Sequence, residues 1–222
     1  MAAVLALMIG IGLLLTRVLE HVWPFTVEDG LNRELAGDRS PGWTDVSWFF
    51  SEAGSTAVVI GLTALAALVL RLTLHRWREP VFLVAAVSAQ ALVFFFTTLV
   101  IDRPRPDVPH LDQSPPTSSF PSGHTSAAVA LYVGLAVVLA SLARPGWLKA
   151  LCWLLVLVPV CVATARIYRG MHHPSDVTAS FLNGTLCIVV MRRAIREIRP
   201  KVPAWFPSTS RAPSPRTDTA TS

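Results

Sequence analysis

The apolar residues of this chain fall into six long blocks that alternate with polar or charged segments. Each block has about the length that a helix needs to cross the hydrocarbon core of a bilayer, roughly 17–25 residues. The pattern predicts an all-α, polytopic membrane helix bundle of about six transmembrane helices. They are expected at residues 2–19, 55–72, 81–101, 124–142, 148–165 and 175–191.

Two N-terminal stretches need a closer look. The first block resembles a signal peptide, but it lacks a basic leading region and a small-x-small cleavage site, which favours a retained helix. The stretch "WTDVSWFFSEAGS" carries Val46, Phe49 and Phe50 at helical spacing. This spacing predicts a short interfacial helix.

Composition supports a membrane protein. Apolar residues make up 52% of the chain and charged residues only 15%, which is too apolar for an ordinary soluble domain. Residues 1–199 are expected to form one membrane-integral domain. Residues 200–222, rich in Pro, Ser and Thr, are expected to be disordered.

The net charge of +5 is concentrated in the loops 71–79 and 143–149 and in the stretch after the last block. Such clustering follows the positive-inside rule, so these segments and both termini are expected in the cytoplasm. The same distribution argues against nucleic-acid binding. Segments 20–54, 102–123 and 166–174 are then expected outside, and the short loops and basic inner face suggest a bacterial plasma membrane.

Most of the unusual polar residues lie in "DRPRPD" (102–107), "PSGH" (121–124) and "ARIYRGMHHPSD" (165–176), all on the outer side. Ionisable groups that meet at membrane-helix ends indicate a functional site. In "PSGH", Ser122 can cap a helix whose free N–H groups favour an anion, and Gly123 permits close approach. Plain capping beside a solvated His124 is the alternative interpretation of this motif taken alone.

The third segment places His172 and Asp176 four residues apart, so the carboxylate can orient the imidazole if helical geometry holds. The planar guanidinium of Arg166 can donate two hydrogen bonds to phosphate oxygens, and Arg103 and Arg105 can supply further donors. Neither a carboxylate cluster for Mg²⁺ nor a Cys/His cluster for zinc is evident. This inventory predicts phosphoryl transfer without metal or cofactor, in which one histidine attacks and the other protonates the leaving oxygen.

Together, "RPRP", "PSGH" and R-x5-H-x3-D resemble the motifs of the type 2 phosphatidic acid phosphatase family, whose superfamily includes vanadium haloperoxidases. The motifs cover residues 98–176, and the span pattern extends the resemblance to about 45–191. The resemblance implies a membrane-integral lipid phosphatase with its site at the non-cytoplasmic helix ends. It implies that His172 forms a phosphohistidine, that Asp176 orients it, and that His124 is the general acid. It implies phosphate binding by Arg105, Arg166, Ser122 and Gly123.

One position departs from the family pattern Lys-x6-Arg-Pro, because Thr98 stands where the lysine is expected. Arg103 and Arg169 are the candidate substitutes. A family member with weak or lost activity is therefore an alternative. A vanadate-dependent haloperoxidase is a further alternative, although those proteins are soluble and this chain has six apolar blocks.

The expected substrate is a lipid phosphate or pyrophosphate in the outer leaflet, such as phosphatidic acid, phosphatidylglycerol phosphate or undecaprenyl pyrophosphate. The sequence leaves these choices and the oligomeric state open. His173 is expected to neighbour the site without taking part. Asp102, Asp107 and Asp112 are expected to be solvated loop residues.

Overall fold

The computed structural model describes residues 1–19, 22–113 and 116–197, so the tail at 200–222 lies outside the described residues. Helices form the fold of the described part of the chain. They are α1 (Ala2–Arg17), α2 (Glu28–Gly37), α3 (Pro41–Ala53), α4 (Thr56–Leu74), α5 (Arg78–Val100), α6 (Gly123–Ala128), α7 (Gly134–Leu142), α8 (Gly146–Trp153), α9 (Leu157–Tyr168) and α10 (Pro174–Glu197).

Several of these helices join into membrane-length spans. A π-helical turn, Val129–Val133, connects α6 to α7, and a 3₁₀ turn, Leu154–Val156, connects α8 to α9. Within the described residues, five helical segments are long and apolar enough to cross a membrane. They are Thr56–Leu74, Arg78–Val100, Gly123–Leu142, Gly146–Tyr168 and Pro174–Ile195.

The all-α membrane fold predicted from the sequence is confirmed, and five of the six predicted spans correspond to these segments. The sixth, predicted at 2–19, is the helix α1 of 16 residues, which is shorter than the roughly 20 residues of a usual span. The short helix predicted in this stretch is α3, which exposes Trp43, Trp48 and Phe49, and its position at the membrane interface stays a prediction. Such aromatic side chains suit the boundary between head groups and hydrocarbon.

The centre of the bundle lies where α5 and α10 pack together and against α6. Phe82, Leu83 and Ala86 of α5 are buried there with Val129 and Ile188. Gly184 lets α10 approach the π-helical turn, because a β-carbon at this position would lie 2.6 Å from Val129. Outward-facing apolar residues such as Leu65, Leu68 and Leu99 are exposed, as expected where lipid rather than water surrounds the helices.

The two ends of the bundle have different chemistry. At one end, a cavity of about 270 Å³ is lined by Arg76, Arg78, Ser141 and Arg192. The basic loop between α4 and α5 and the C-terminal end of α7 therefore meet the end of α10. The three motif segments lie at the opposite end, where Tyr132 of the π-helical turn also donates a hydrogen bond to the Ala53 carbonyl at 3.0 Å.

Candidate active site

At the motif end of the bundle, α3, α4, α5, α6 and α9 surround a cavity of about 440 Å³. One part of its wall is polar and contains Ser51, Arg105, Asp112, His124, Arg166 and His172. The other part is apolar and contains Val59, Ile60, Val87, Ala91, Phe94 and Ala127. The cavity thus offers a charged region and an apolar region to one bound molecule.

The tight turn after α9 brings His172 into this cavity. Gly170 has a φ of +74°, and a β-carbon there would lie 2.7 Å from Val108, so glycine is required. His172 is 4% exposed, and its Nδ1 lies 2.8 Å from the Ser119 carbonyl oxygen. A carbonyl only accepts, so Nδ1 carries the hydrogen. Burial, which outweighs the nearby Asp176 charge, holds the pKa of His172 well below its ordinary value and leaves Nε2 unprotonated.

Asp176 does not contact His172 as its spacing predicted. Its Oδ2 atom lies 3.9 Å from Nδ1 of His172, beyond hydrogen-bond distance. His172 precedes Pro174, the first residue of α10, so the two residues are not in one helical register. Instead, Oδ2 accepts hydrogen bonds from the His173 backbone N–H at 2.9 Å and from Ser119 Oγ at 2.6 Å. The carboxylate therefore reaches His172 through Ser119.

His124 lines the cavity from the first turn of α6. Ser122 caps this helix, and the backbone of His124 packs beside Gly54, where a β-carbon would lie 2.9 Å from the His124 carbonyl oxygen. No residue of the described part of the chain hydrogen-bonds to the ring of His124. The ring is therefore placed in the cavity by its backbone.

Arg105 and Arg166 give the cavity its positive charge. Arg105 donates from Nη1 to the Met171 carbonyl at 2.8 Å, and Arg166 donates from Nη1 to Ser51 Oγ at 2.8 Å. The Nε atom of each guanidinium is buried without a hydrogen-bond partner. An unsatisfied buried donor is costly, so these two atoms are suited to an anionic ligand.

Ser122 and Gly123 have different surroundings, although the motif predicted phosphate binding for both. Ser122 is fully buried and does not line the cavity. Its N–H donates to Ser180 Oγ at 2.7 Å, and its hydroxyl caps α6. Gly123 does line the cavity, where a β-carbon would lie 3.0 Å from the Phe94 ring. Ser122 thus caps α6, but His124 lies in the cavity and not in open solvent as the alternative interpretation had it. Phosphate binding by Ser122 stays a prediction, and Gly123 lies at the site.

Neither candidate substitute for the missing lysine lines the cavity. Arg169 binds Asp112 through Nη2 at 2.7 Å and Nε at 2.9 Å. Arg103 binds Glu28 and Asp176. Both guanidinium groups are held by carboxylates, so the prediction that one of them joins the phosphate cage is not supported by the geometry.

Asp112 is not the solvated loop residue that was expected. Its carboxylate also accepts a hydrogen bond from Arg166 Nη1 at 2.7 Å, so it bridges two arginines beside the cavity. Burial opposes its ionisation, but the hydrogen bond from Arg169 and the charge of Arg166 outweigh this and lower the pKa of Asp112. Asp112 therefore stays ionised and holds Arg166 in place.

Sequence reasoning missed three residues that support the site. Ser119 contacts His172, Ser51 contacts Arg166, and Glu28 of α2 contacts Arg103. Ser119 lies two residues before the "PSGH" motif, and that proximity was its one local signal. Within the described residues, no group of three or more His, Cys, Asp or Glu side chains is arranged to hold a metal ion.

The motifs and the fold agree with a known family. A model of the PAP2 superfamily matches residues 79–200, which is more than half of the chain. The chain therefore belongs to the PAP2 superfamily, and the resemblance found in the motifs is confirmed.

Individual relatives include several lipid phosphatases. An undecaprenyl-diphosphatase from Sulfolobus acidocaldarius is 37% identical over 76 residues, or 34% of this chain and 32% of that protein. The match thus spans about a third of the relative's length. The crystal structure of a PAP2-type phosphatidylglycerolphosphate phosphatase from Bacillus subtilis is similar over 90% of this chain and 98% of its own, with a TM-score of 0.76 and 18% identity. Aquifex aeolicus LpxE covers 78% of this chain and 98% of its own, with a TM-score of 0.61 and 25% identity.

Proposed function

We propose that this protein is a membrane lipid phosphatase that hydrolyses a lipid phosphate or a polyprenyl pyrophosphate through a phosphohistidine at His172. One observation carries the proposal. An imidazole whose Nδ1 is engaged by a carbonyl lies in the same cavity as two arginines with unpartnered Nε atoms. Such a cavity can bind a phosphate and present a neutral nitrogen to it.

In the first step, Nε2 of His172 attacks phosphorus and the bond from phosphorus to the lipid oxygen breaks. His124, in its protonated form, gives its proton to that leaving oxygen. Arg105 and Arg166 stabilise the negative charge on the phosphoryl oxygens in the transition state. The products are the free lipid alcohol, or the lipid monophosphate from a pyrophosphate, and a phosphohistidine.

In the second step, His124, now neutral, takes a proton from water, and the water oxygen attacks phosphorus. The phosphorus–nitrogen bond breaks, orthophosphate forms, and the electron pair returns to Nε2 of His172. The hydrogen stays on Nδ1 of His172 and is donated to the Ser119 carbonyl throughout, which keeps the ring in one tautomer. The step regenerates both histidines in their starting states.

The cavity walls support an amphiphilic substrate. Val59, Ile60 and Phe94 face the same space as the arginines, so a phosphate head and the first carbons of a lipid tail fit together. The undecaprenyl-diphosphatase and the phosphatidylglycerolphosphate phosphatase among the relatives act, by their names, on substrates of this kind. Phosphatidic acid, phosphatidylglycerol phosphate and undecaprenyl pyrophosphate are therefore the candidate substrates.

The charge distribution supports an orientation as well. The basic residues Arg76, Arg78 and Arg192 lie at the end of the bundle opposite to His124 and His172. We place that end in the cytoplasm and the cavity at the outer leaflet of a bacterial plasma membrane, in keeping with the positive-inside rule.

A family member with weak activity is the second candidate, because Thr98 replaces the motif lysine and neither Arg103 nor Arg169 lines the cavity.

A panel of lipid phosphates and pyrophosphates, offered to the purified protein in detergent with EDTA present, separates the two candidates. We expect release of orthophosphate from at least one substrate, inhibition by vanadate, and no turnover by His172→Gln. His110→Gln, which changes an exposed histidine outside the cavity lining, is the matched control. Turnover that disappears with EDTA and returns with Mg²⁺ would contradict the mechanism, and inactivity on every substrate would support the second candidate.

A further inference from the structure

We propose that Arg103 is a positioning residue for His172, held in turn by Glu28 of α2. This inference rests on the proposed function, because it concerns how the nucleophile of that reaction is aligned. It also gives a role to an arginine that the motifs offered only as a candidate for phosphate binding.

The side chain of Arg103 connects α2 with the start of α10. Its Nη1 donates to Asp176 Oδ1 and, at 2.7 Å, to Ser175 Oγ. Its Nη2 donates to Glu28 Oε2 at 2.9 Å. Glu28 completes the connection, because Oε1 accepts from the Ser175 backbone N–H at 2.8 Å. One guanidinium therefore fixes the position of the Asp176 carboxylate.

The backbone of Arg103 supports the same histidine from the other side. Its carbonyl accepts a hydrogen bond from the Ser119 N–H at 2.8 Å. Ser119 in turn offers its carbonyl to Nδ1 of His172 and donates its hydroxyl to Asp176 Oδ2. Ser119 is therefore fixed by two groups, the Arg103 carbonyl and the Asp176 carboxylate that the Arg103 side chain holds. Ser119 in turn fixes the ring of His172.

The charges explain why an arginine is needed here. Asp176 is fully buried, and Glu28 is 7% exposed. Two buried carboxylates without a cation between them would carry a large desolvation cost. His172 and His173 also lie close to Asp176, and Arg105 lies within electrostatic range, but Arg105 donates its Nη1 to Met171. Among the described residues, Arg103 alone bonds to both carboxylates through its side chain.

A direct role in phosphate binding fits Arg103 less well. It does not line the 440 Å³ cavity that contains His172. It lines a neighbouring cavity of about 470 Å³, together with Arg105, His173 and the carboxylates Asp29, Asp102 and Asp107. The three carboxylates offset the positive charge of Arg103 and Arg105 there, and the Arg103 guanidinium is already bonded to Glu28 and Asp176.

The first test compares steady-state kinetics of Arg103→Ala and Arg103→Lys with the control Arg33→Ala, which removes an exposed arginine from α2, the helix that carries Glu28. We expect Arg103→Ala to lower kcat by about 100-fold, since small misplacements of a reacting group can cost that much. KM should stay within about threefold, because phosphate contacts remain. Arg103→Lys should restore part of kcat, and Arg33→Ala should behave as wild type. A rise in KM at constant kcat would overturn the proposal and return Arg103 to phosphate binding.

The second test separates alignment from simple tethering of α2. The double variant Glu28→Arg with Arg103→Glu restores an ion pair between the two positions but sets a carboxylate against Asp176. We expect it to stay as slow as Arg103→Ala in forming the phosphoenzyme. Recovery of wild-type rates would overturn the proposal. If Arg103→Ala does not fold, Glu28→Gln is measured instead, with a several-fold loss in kcat at constant KM as the expected result and no change in kcat as the contradicting one.

The outcomes also distinguish this inference from the proposed function. An active wild type, an inactive His172→Gln and an unaffected Arg103→Ala would refute the positioning role alone. An active His172→Gln would refute the proposed function, whatever Arg103 does.

Discussion

His172 donates its Nδ1 hydrogen to the backbone carbonyl of Ser119 across 2.8 Å. A backbone carbonyl cannot be protonated at ordinary pH, so this contact fixes the neutral tautomer without making an ion pair. The ring is also buried, and burial favours its uncharged form further. The geometry therefore presents a neutral Nε2 to the cavity.

Stability should depend on pH through this histidine. Its pKa is well below 6.5 in the folded protein, and near 6.5 when unfolded, so the unfolded chain binds the proton more readily. Stability from this group is complete above about pH 6.5 and is lost as the pH falls below that value. We expect the melting temperature in detergent to fall between pH 7 and pH 5, and to fall less for His172→Gln. Equal pH dependence in both proteins would contradict the assigned protonation state.

The leaving group should determine how much His124 matters. His124→Ala removes the proposed general acid, whose contribution is typically about 10²–10⁴-fold. The loss should be large for a lipid phosphate, whose alkoxide leaves poorly, and small for an aryl phosphate, whose phenolate leaves easily. The ratio of kcat/KM values for the two substrates, which reports only the steps up to release of the leaving group, is measured with wild type and variant and checks this. An equal loss on both substrates would argue that His124 has another role.

Thr98 offers a way to restore the cation that the family pattern contains. It follows Phe94 by four residues on α5, so it lies on the helix face that lines the cavity, one turn nearer the motif end. We expect Thr98→Lys to strengthen inhibition by vanadate between about threefold and tenfold, the effect of one added charge partly screened by water. Thr98→Met is the uncharged control. If both variants resemble wild type, position 98 does not reach the phosphate.

Sidedness can be measured with single cysteines in a background where Cys152, Cys161 and Cys187 are replaced. Asp107 is exposed at the motif end, whereas Ser118 in the same segment is buried and would react poorly. Arg144 is exposed at the basic end. Basic residues are attracted to the anionic inner leaflet by about 1 kcal/mol each. We therefore expect Asp107→Cys to react with an impermeant thiol reagent in intact cells, and Arg144→Cys to react only after permeabilisation; the reverse pattern would contradict the orientation.

The sequence was sufficient to predict the membrane spans and the grouping of the motifs. A run of about 20 apolar residues has few alternatives to a membrane helix, so the spans containing Gln90, His124 and Asn183 were predictable from composition alone. The first two motif segments share the loop between two spans and the third follows two spans later, which places Arg105, His124 and His172 at one end.

The partners of the polar side chains could not be predicted in the same way. Asp112 meets Arg166 across 54 residues, and Glu28 meets Arg103 across 75, and no local pattern encodes either pair. The spacing of His172 and Asp176 suggested a direct hydrogen bond, but α10 begins only at Pro174. The Asp176 carboxylate instead caps this helix by accepting a hydrogen bond from the His173 backbone N–H. Contacts that depend on the path of loops need the structure.

The central claim is that His172 carries the phosphoryl group, and trapping that intermediate tests it most directly. Purified wild type is mixed with a radiolabelled lipid phosphate in EDTA, quenched within the first turnover in alkali, and digested. A phosphohistidine is stable in alkali and lost in acid. The account therefore predicts acid-labile label on the peptide that contains His172. His172→Gln should carry no label. Label of equal intensity on His172→Gln, or turnover by that variant at the wild-type rate, would contradict the account.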